Sequence, residues 1–100
     1  MVFVFEAEVW KWEARRAGSW AFVSLPADAT QEIRESTDGS RRGFGSQRVR
    51  ATVGGSTWAT SIFPSSGGGP YVLPIKRAIR EAELVDVGDV ETVTVELVDF

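Results

Sequence analysis

Residues 57–83, TWATSIFPSSGGGPYVLPIKRAIREAE, decide the fold. They read as a strand, a loop and a helix, in that order. Trp58, Thr60 and Ile62 alternate with Ala59, Ser61 and Phe63, the period of two that a strand shows to its two faces. Pro64 ends the strand because proline has no N–H to give a sheet ladder. Ser65 to Pro70, SSGGGP, is a loop, and residues 71–73 form a short extended piece. Pro74 stands where a helix begins, its fixed φ suiting the first turn. Ile75, Ala78, Ile79 and Ala82 then recur at i, i+3, i+4 and i+7, one apolar stripe. Lys76, Arg77, Arg80, Glu81 and Glu83 lie opposite it, with Arg77 and Glu81 spaced as an i, i+4 ion pair.

Upstream, Gly54-Gly55 is a tight hairpin signal. It joins the 57–63 strand to an antiparallel partner at 47–53, where Val49, Ala51 and Val53 face inward and Arg48, Arg50 and Thr52 outward. Residues 40–46, SRRGFGS, are a loop or the irregular start of that strand. Asp28 with Gln31 three residues later has the capping-box spacing, so a short helix runs to Ser36. Its stripe is thin, Ala29 and Ile33, and it is expected to lie on the surface and plug one end of the sheet. Residues 19–25 make a strand with Trp20 and Phe22 on one face and Ala21, Val23 and Leu25 on the other, a pattern for cover on both sides. Residues 2–12 make the first strand, with Phe3, Phe5, Ala7 and Val9 on one face and Glu6 and Glu8 on the other. Trp10 and Trp12 fall on the glutamate face. Either a bulge switches the faces there or something covers that side.

Downstream, residues 89–98 form the last strand, with Val93, Val95 and Leu97 on one side. If the long first and last strands pair, the sheet closes and loses its edges. The pattern therefore predicts a mainly β chain, a small closed antiparallel barrel of about six strands with two short helices. An open α+β sandwich is the alternative.

The bulk numbers fit one globular domain. A 100-residue chain has room for one modest core. Its 43% hydrophobic and 25% charged residues are ordinary. A net charge of -3 gives no general attraction for nucleic acid. No run approaches the ~18 apolar residues of a membrane helix. The N-terminal run reads as a strand rather than a signal peptide. The expected location is cytoplasmic, with no membrane partner. The chain has no cysteine and no histidine. That removes disulfides, thiolate chemistry, the usual zinc sites and the commonest general base. No Asp-rich loop has calcium spacing. No cofactor, metal or catalytic set is expected. Ser46 and Ser61 have no histidine to activate them, and a Ser61–Lys76 dyad has no motif behind it.

Three stretches are candidates for binding. Lys76 and Arg80 share a helix face behind the Gly-rich loop, where helix N–H groups favour an anion; a solvated charged face is the plainer reading. Gly67-Gly68-Gly69 lacks P-loop spacing. Arg41-Arg42-Gly43-Phe44-Gly45-Ser46 has the glycines of an anion-binding nest, with Arg48 and Arg50 following; turn chemistry explains the glycines equally, and cross-strand pairs to Glu6 and Glu8 would account for Arg48 and Arg50. The third is the aromatic set Trp10, Trp12, Trp20, Trp58, Phe63 and Tyr71. Most of it is expected in the core, and any member exposed beside arginines marks a ligand or partner surface.

The blocks FEAEVWKWE, WAFVSLP, RRGFGSQRVRATVGGSTWATSIFP, YVLPIKRAIREAE and VGDVETVTVEL, in this order, resemble the bacterial family catalogued as domain of unknown function nineteen-hundred-five. The likeness spans nearly the whole chain. GFGS, T-S-x-F-P and L-P-x-K-x-A-x-R are its most specific parts. The resemblance implies a small closed Greek-key-like barrel with helical insertions. It brings no activity. Some members carry a second domain linked to bacteriocin protection, for which this chain is too short. Two positions depart from the pattern. SSGGGP replaces a lysine-bearing loop, which weakens any phosphate grip there, and Glu91 replaces an apolar residue in a longer last strand.

These blocks are expected to converge on one polar cleft at one barrel end, lined by Arg42, Phe44, Ser46, Arg48, Ser61, Tyr71, Lys76 and Arg80. The favoured function is a non-catalytic binding module for an anionic small molecule or an acidic protein patch. The runner-up is a nucleic-acid-binding barrel using Arg41, Arg42, Arg48 and Arg50 with Phe44 or a tryptophan as stacking platforms, against which the net charge counts. An enzyme would use Lys76, Tyr71 or a carboxylate as its acid or base. An oligomerisation domain would show an apolar patch that includes Trp10 or Trp12. The oligomeric state itself is not legible.

Overall fold

Seven strands and two helices make up most of residues 1–12, 20–37 and 45–98, the parts of the chain that the computed structural model describes; of Trp12, Thr37 and Ser66 it describes the backbone alone. In chain order they are β1 (Val2–Glu8), β2 (Trp10–Trp12), β3 (Trp20–Ser24), α1 (Ala27–Thr37), β4 (Gln47–Val53), β5 (Ser56–Pro64), β6 (Tyr71–Pro74), α2 (Arg77–Glu83) and β7 (Val90–Leu97). A 3-10 turn, Ser66–Gly68, lies between β5 and β6.

The sheet order is β1-β7-β4-β5-β6-β3-β2, and every pairing is antiparallel. β1 and β2 are halves of one N-terminal strand parted at Val9, yet they stand at opposite ends of that order. The bent strand therefore closes the barrel, holding β7 with its first half and β3 with its second. Counted as one strand it gives the expected number, and the first and last strands do pair. β4, β5 and β6 follow one another, and the chain then returns through α2 to lay β7 beside β4, which is a Greek key.

Val9 settles the fate of Trp10. Its N–H donates to Asp89 O at 2.9 Å and its carbonyl accepts from Gly88 N at 2.8 Å. Its side chain stays inside with Phe3, Phe5 and Ala7. No face switches, so Trp10 remains on the glutamate face and is covered there by Phe22.

The barrel interior holds branched and small side chains, Val23, Val49, Ala51, Ile62, Leu73, Val93 and Val95, together with Tyr71 and Trp58. A barrel of about six strands is too narrow for more large rings. This corrects the expectation that most tryptophans are core. Trp58 is 8% exposed, but Trp20 is 60% exposed.

Each helix covers one end. α1 buries Ala29 and Ile33 beside the starts of β1 and β6. Thr30 Oγ1 accepts the Tyr71 N–H at 3.2 Å, and Arg34 donates to Gly69 O at 2.7 Å with its guanidinium over the Tyr71 ring. Gln31 donates forward to Glu35 at 2.8 Å instead of folding back as a capping box requires. At the other end α2 brings in Ile79, flanked by buried Ile75 and Val85. Pro74 ends β6, and the helix begins three residues later than its φ suggested, at Arg77. Of the predicted stripe, Ile75, which precedes the helix, and Ile79 are buried, and Ala78 and Ala82 are exposed. Arg77 and Glu81 pair at 3.2 Å as their spacing predicts. Arg50 pairs with Glu96 on β7 at 3.0 Å rather than with Glu6 or Glu8, because β7 lies between β4 and β1. No described helix is long and apolar enough to cross a membrane.

Candidate functional site

The expected single cleft is divided by the barrel. Ser46 precedes β4, where Gln47 stands opposite Ile62 and Arg48 opposite Ser61, so these residues do lie together. Arg48 is exposed and Ser61 half-buried on the outer face. Tyr71 is at the same end but 2% exposed, its ring inside the barrel under α1. Lys76 and Arg80 are at the other end. β6 runs from one end to the other, and its four residues carry the chain roughly 10 Å at the rise of a strand. Arg42 and Phe44 lie outside the described residues. The structure thus brings together Ser46, Arg48 and Ser61, closes Tyr71 off, and sets Lys76 and Arg80 apart.

Among the described residues, a concave surface lies instead on the outer wall, over β6. β6 points Tyr71 and Leu73 inward and Val72 and Pro74 outward. The two outward residues make a low floor, because neither carries a large ring. Phe63, 43% exposed, rises from β5 on one side. Phe22 and Trp20 rise from β3 on the other, with Trp10 behind them on β2. The groove so formed is about 510 Å³, and Pro64 and Ser65 close one end of it.

The aromatic wall is fixed by its own contacts. Trp10 stacks on Phe22 with centroids 5.1 Å apart, and Trp20 stacks on the same ring at 6.3 Å and 15°. The Trp10 indole N–H donates to Ser24 Oγ at 3.1 Å, which satisfies its polar atom and sets its tilt. Ser65, at the closed end, donates its hydroxyl to the Pro70 carbonyl and so ties the SSGGGP loop shut.

At its open end the groove meets the basic start of α2. A second hollow of about 280 Å³ is lined by Trp20, Ala21, Pro74, Ile75, Lys76, Arg77 and Arg80. Trp20 and Pro74 belong to both hollows, so an apolar, ring-lined surface runs into a cationic one. Arg80 Nε donates to Ile75 O at 3.1 Å and Arg77 is paired to Glu81. Lys76 is exposed and makes no ion pair among the described residues. Arg80 thus binds a backbone carbonyl and, among the described residues, does not pair with Glu81 or Glu83.

Glu83 holds this end in place. Its carboxylate accepts from Ser56 Oγ and, at 3.1 Å, from Gly55 N–H, tying α2 to the β4–β5 turn. The Ser56 bond and then the Gly55 bond favour the charged carboxylate and hold its pKa below the ordinary glutamate value, against a small opposing effect of desolvation.

Sequence reading put Trp10, Trp20 and Phe63 in its aromatic candidate set but gave no site role to Phe22 or to the floor residues Val72 and Pro74. The usable signal was Trp20-Ala21-Phe22-Val23, large rings alternating with small residues, which in a narrow barrel puts the rings outside. No curated protein matches the chain. The family described as Domain of unknown function (DUF1905) matches residues 5–97. With its nearly closed antiparallel barrel and that match over nearly its whole length, the chain belongs to this family of unknown function.

Proposed function

We propose that the chain is a non-catalytic binding module of the bacterial cytoplasm. It takes an anionic small molecule with a flat apolar part, seated in the aromatic groove with its charge toward Lys76 and Arg80. The observation that carries this is the continuity of the two hollows through Trp20 and Pro74. The groove's volume falls within the ~300–1,000 Å³ usual for small-molecule sites. Its rings offer stacking faces, and Lys76 offers a charge that no described carboxylate neutralises.

The test is calorimetric titration with naphthalene-2-carboxylate and with its neutral amide. The carboxylate should bind, and the amide should bind roughly tenfold more weakly. Trp20→Ala should abolish binding of both. Lys76→Ala should remove the preference for the carboxylate. Binding that survives Trp20→Ala, or no binding at millimolar concentration, defeats the proposal.

A second reading is favoured by the ring row Trp10, Phe22 and Trp20, which resembles a stacking platform for single-stranded nucleic acid. The net charge of -3 opposes it. Oligo-dT binding that weakens steeply with salt would establish it.

A further inference from the structure

Among the described residues the barrel has a seam that its strands leave open, and Pro26 is the reason. β2 pairs with β3 through Trp10 and Phe22. Continuing that register along β1 would set Glu6 against Pro26, which has no N–H to donate. The chain turns into α1 there instead, and β1 loses its neighbour on that side. The β1–β7 register shows which backbone groups are exposed by this. Leu97 N–H donates to Met1 O at 3.0 Å, so Met1, Phe3 and Phe5 face β7. Val2, Val4 and Glu6 point their N–H and C=O groups the other way. Among the described residues these groups find no backbone partner.

A groove of about 350 Å³ follows this edge, between β1 and α1. Phe3 and Phe5 lie along it, and its charged residues are Asp28 and Glu32, both acidic. They stand four apart on α1, and Ser36, four further on, reaches Met1 Sδ at 3.6 Å, so that face of the helix runs beside the strand. None of the groove's lining residues belongs to the aromatic groove.

We infer that this seam is a second binding site, which takes an extended basic peptide as an added strand on the open edge of β1. The peptide's backbone completes the hydrogen bonds of Val2, Val4 and Glu6, and its lysines or arginines meet Asp28 and Glu32. Charge decides against a second copy of the chain on the same edge. Two such edges would bring Glu6, Asp28 and Glu32 of both molecules together.

Anisotropy of a fluorescein-labelled Lys-Val-Lys-Val-Lys-Val peptide tests this, with Glu replacing Lys in the control peptide. The lysine peptide should bind and the glutamate peptide should not. Val4→Pro removes an edge N–H that β7 does not use, so the fold should survive and affinity fall roughly tenfold or more. D28N/E32Q should weaken binding about as much. If Val4→Pro does not fold, a peptide N-methylated on the amides that face β1 replaces it and must lose binding. Equal affinity for both peptides, undiminished binding to folded Val4→Pro, or a dimer that Val4→Pro abolishes would each overturn the assignment.

Discussion

Glu83 shows how one side chain ties a helix to a turn far away in the chain. Its two hydrogen bonds, from Gly55 N–H and Ser56 Oγ, both favour the carboxylate, so its pKa is lowered in the folded protein. The sign follows from linkage. In the unfolded chain the group titrates near its ordinary ~4.3. Its contribution is therefore fully present above that value and is lost as the pH falls through the lower folded value. Melting temperatures followed downward from pH 6 should drop more steeply in the parent than in Glu83→Gln. Gly54 bears on the same contact. Its φ is +58°, and a Cβ there would collide with Glu83 Oε1. Gly54→Ala should cost about 1 kcal/mol from the backbone alone. By displacing Glu83 it should also flatten the pH dependence as Glu83→Gln does. Equal pH slopes in all three proteins would show that the carboxylate bonds are not formed in solution. The turn itself was legible from Gly54-Gly55. Its link to Glu83 was not, because a contact across 28 positions exists only once α2 has crossed the barrel end.

Strand β3 carries the contrast between core and site. Ala21 and Val23 face inward, while Trp20 and Phe22 face outward. Alternation located this strand but left its inside undecided, since both sets are apolar. Interior width decides it, and width depends on how many strands close the barrel. The same ambiguity explains the misplaced cleft. Residues 71–73 were legible as extended, but their crossing from the α1 end to the α2 end depended on pairing with β3 and β5. Inward and outward tryptophans should differ accordingly under substitution. Trp58→Ala, at 8% exposure, should cost about 3–5 kcal/mol in urea unfolding. Trp20→Ala, at 60% exposure, should cost at most about 1 kcal/mol while abolishing aromatic ligand binding. Comparable losses of stability at the two positions would mean that the outer rings act as a second core.

The whole barrel is covered at its two ends by helices, and only α2 contributes side chains to the hollow that the aromatic groove runs into. α1 inserts Ile33, fully buried, into the core at the Tyr71 end, away from Lys76. α2 inserts Ile79 at 8% exposure, and the same helix carries Arg77 and Arg80. Ile33→Ala should cost about 2–5 kcal/mol, since a buried plug leaves a cavity that the strands around it cannot collapse to fill. The folded fraction should nevertheless bind the naphthalene probe with parental affinity, because neither the ring wall nor the basic hollow touches α1. Ile79→Ala should cost less, its side chain being less buried, yet it should weaken the probe, since α2 then loses the contact that seats its basic residues beside Trp20. Unfolding by urea and calorimetry on the same two variants separate these effects. Parental affinity in Ile79→Ala would mean that Glu83 and the Ile75 carbonyl suffice to place the cations. Lost affinity in folded Ile33→Ala would mean that the two ends communicate through β6, the short strand that joins them and forms the groove's floor.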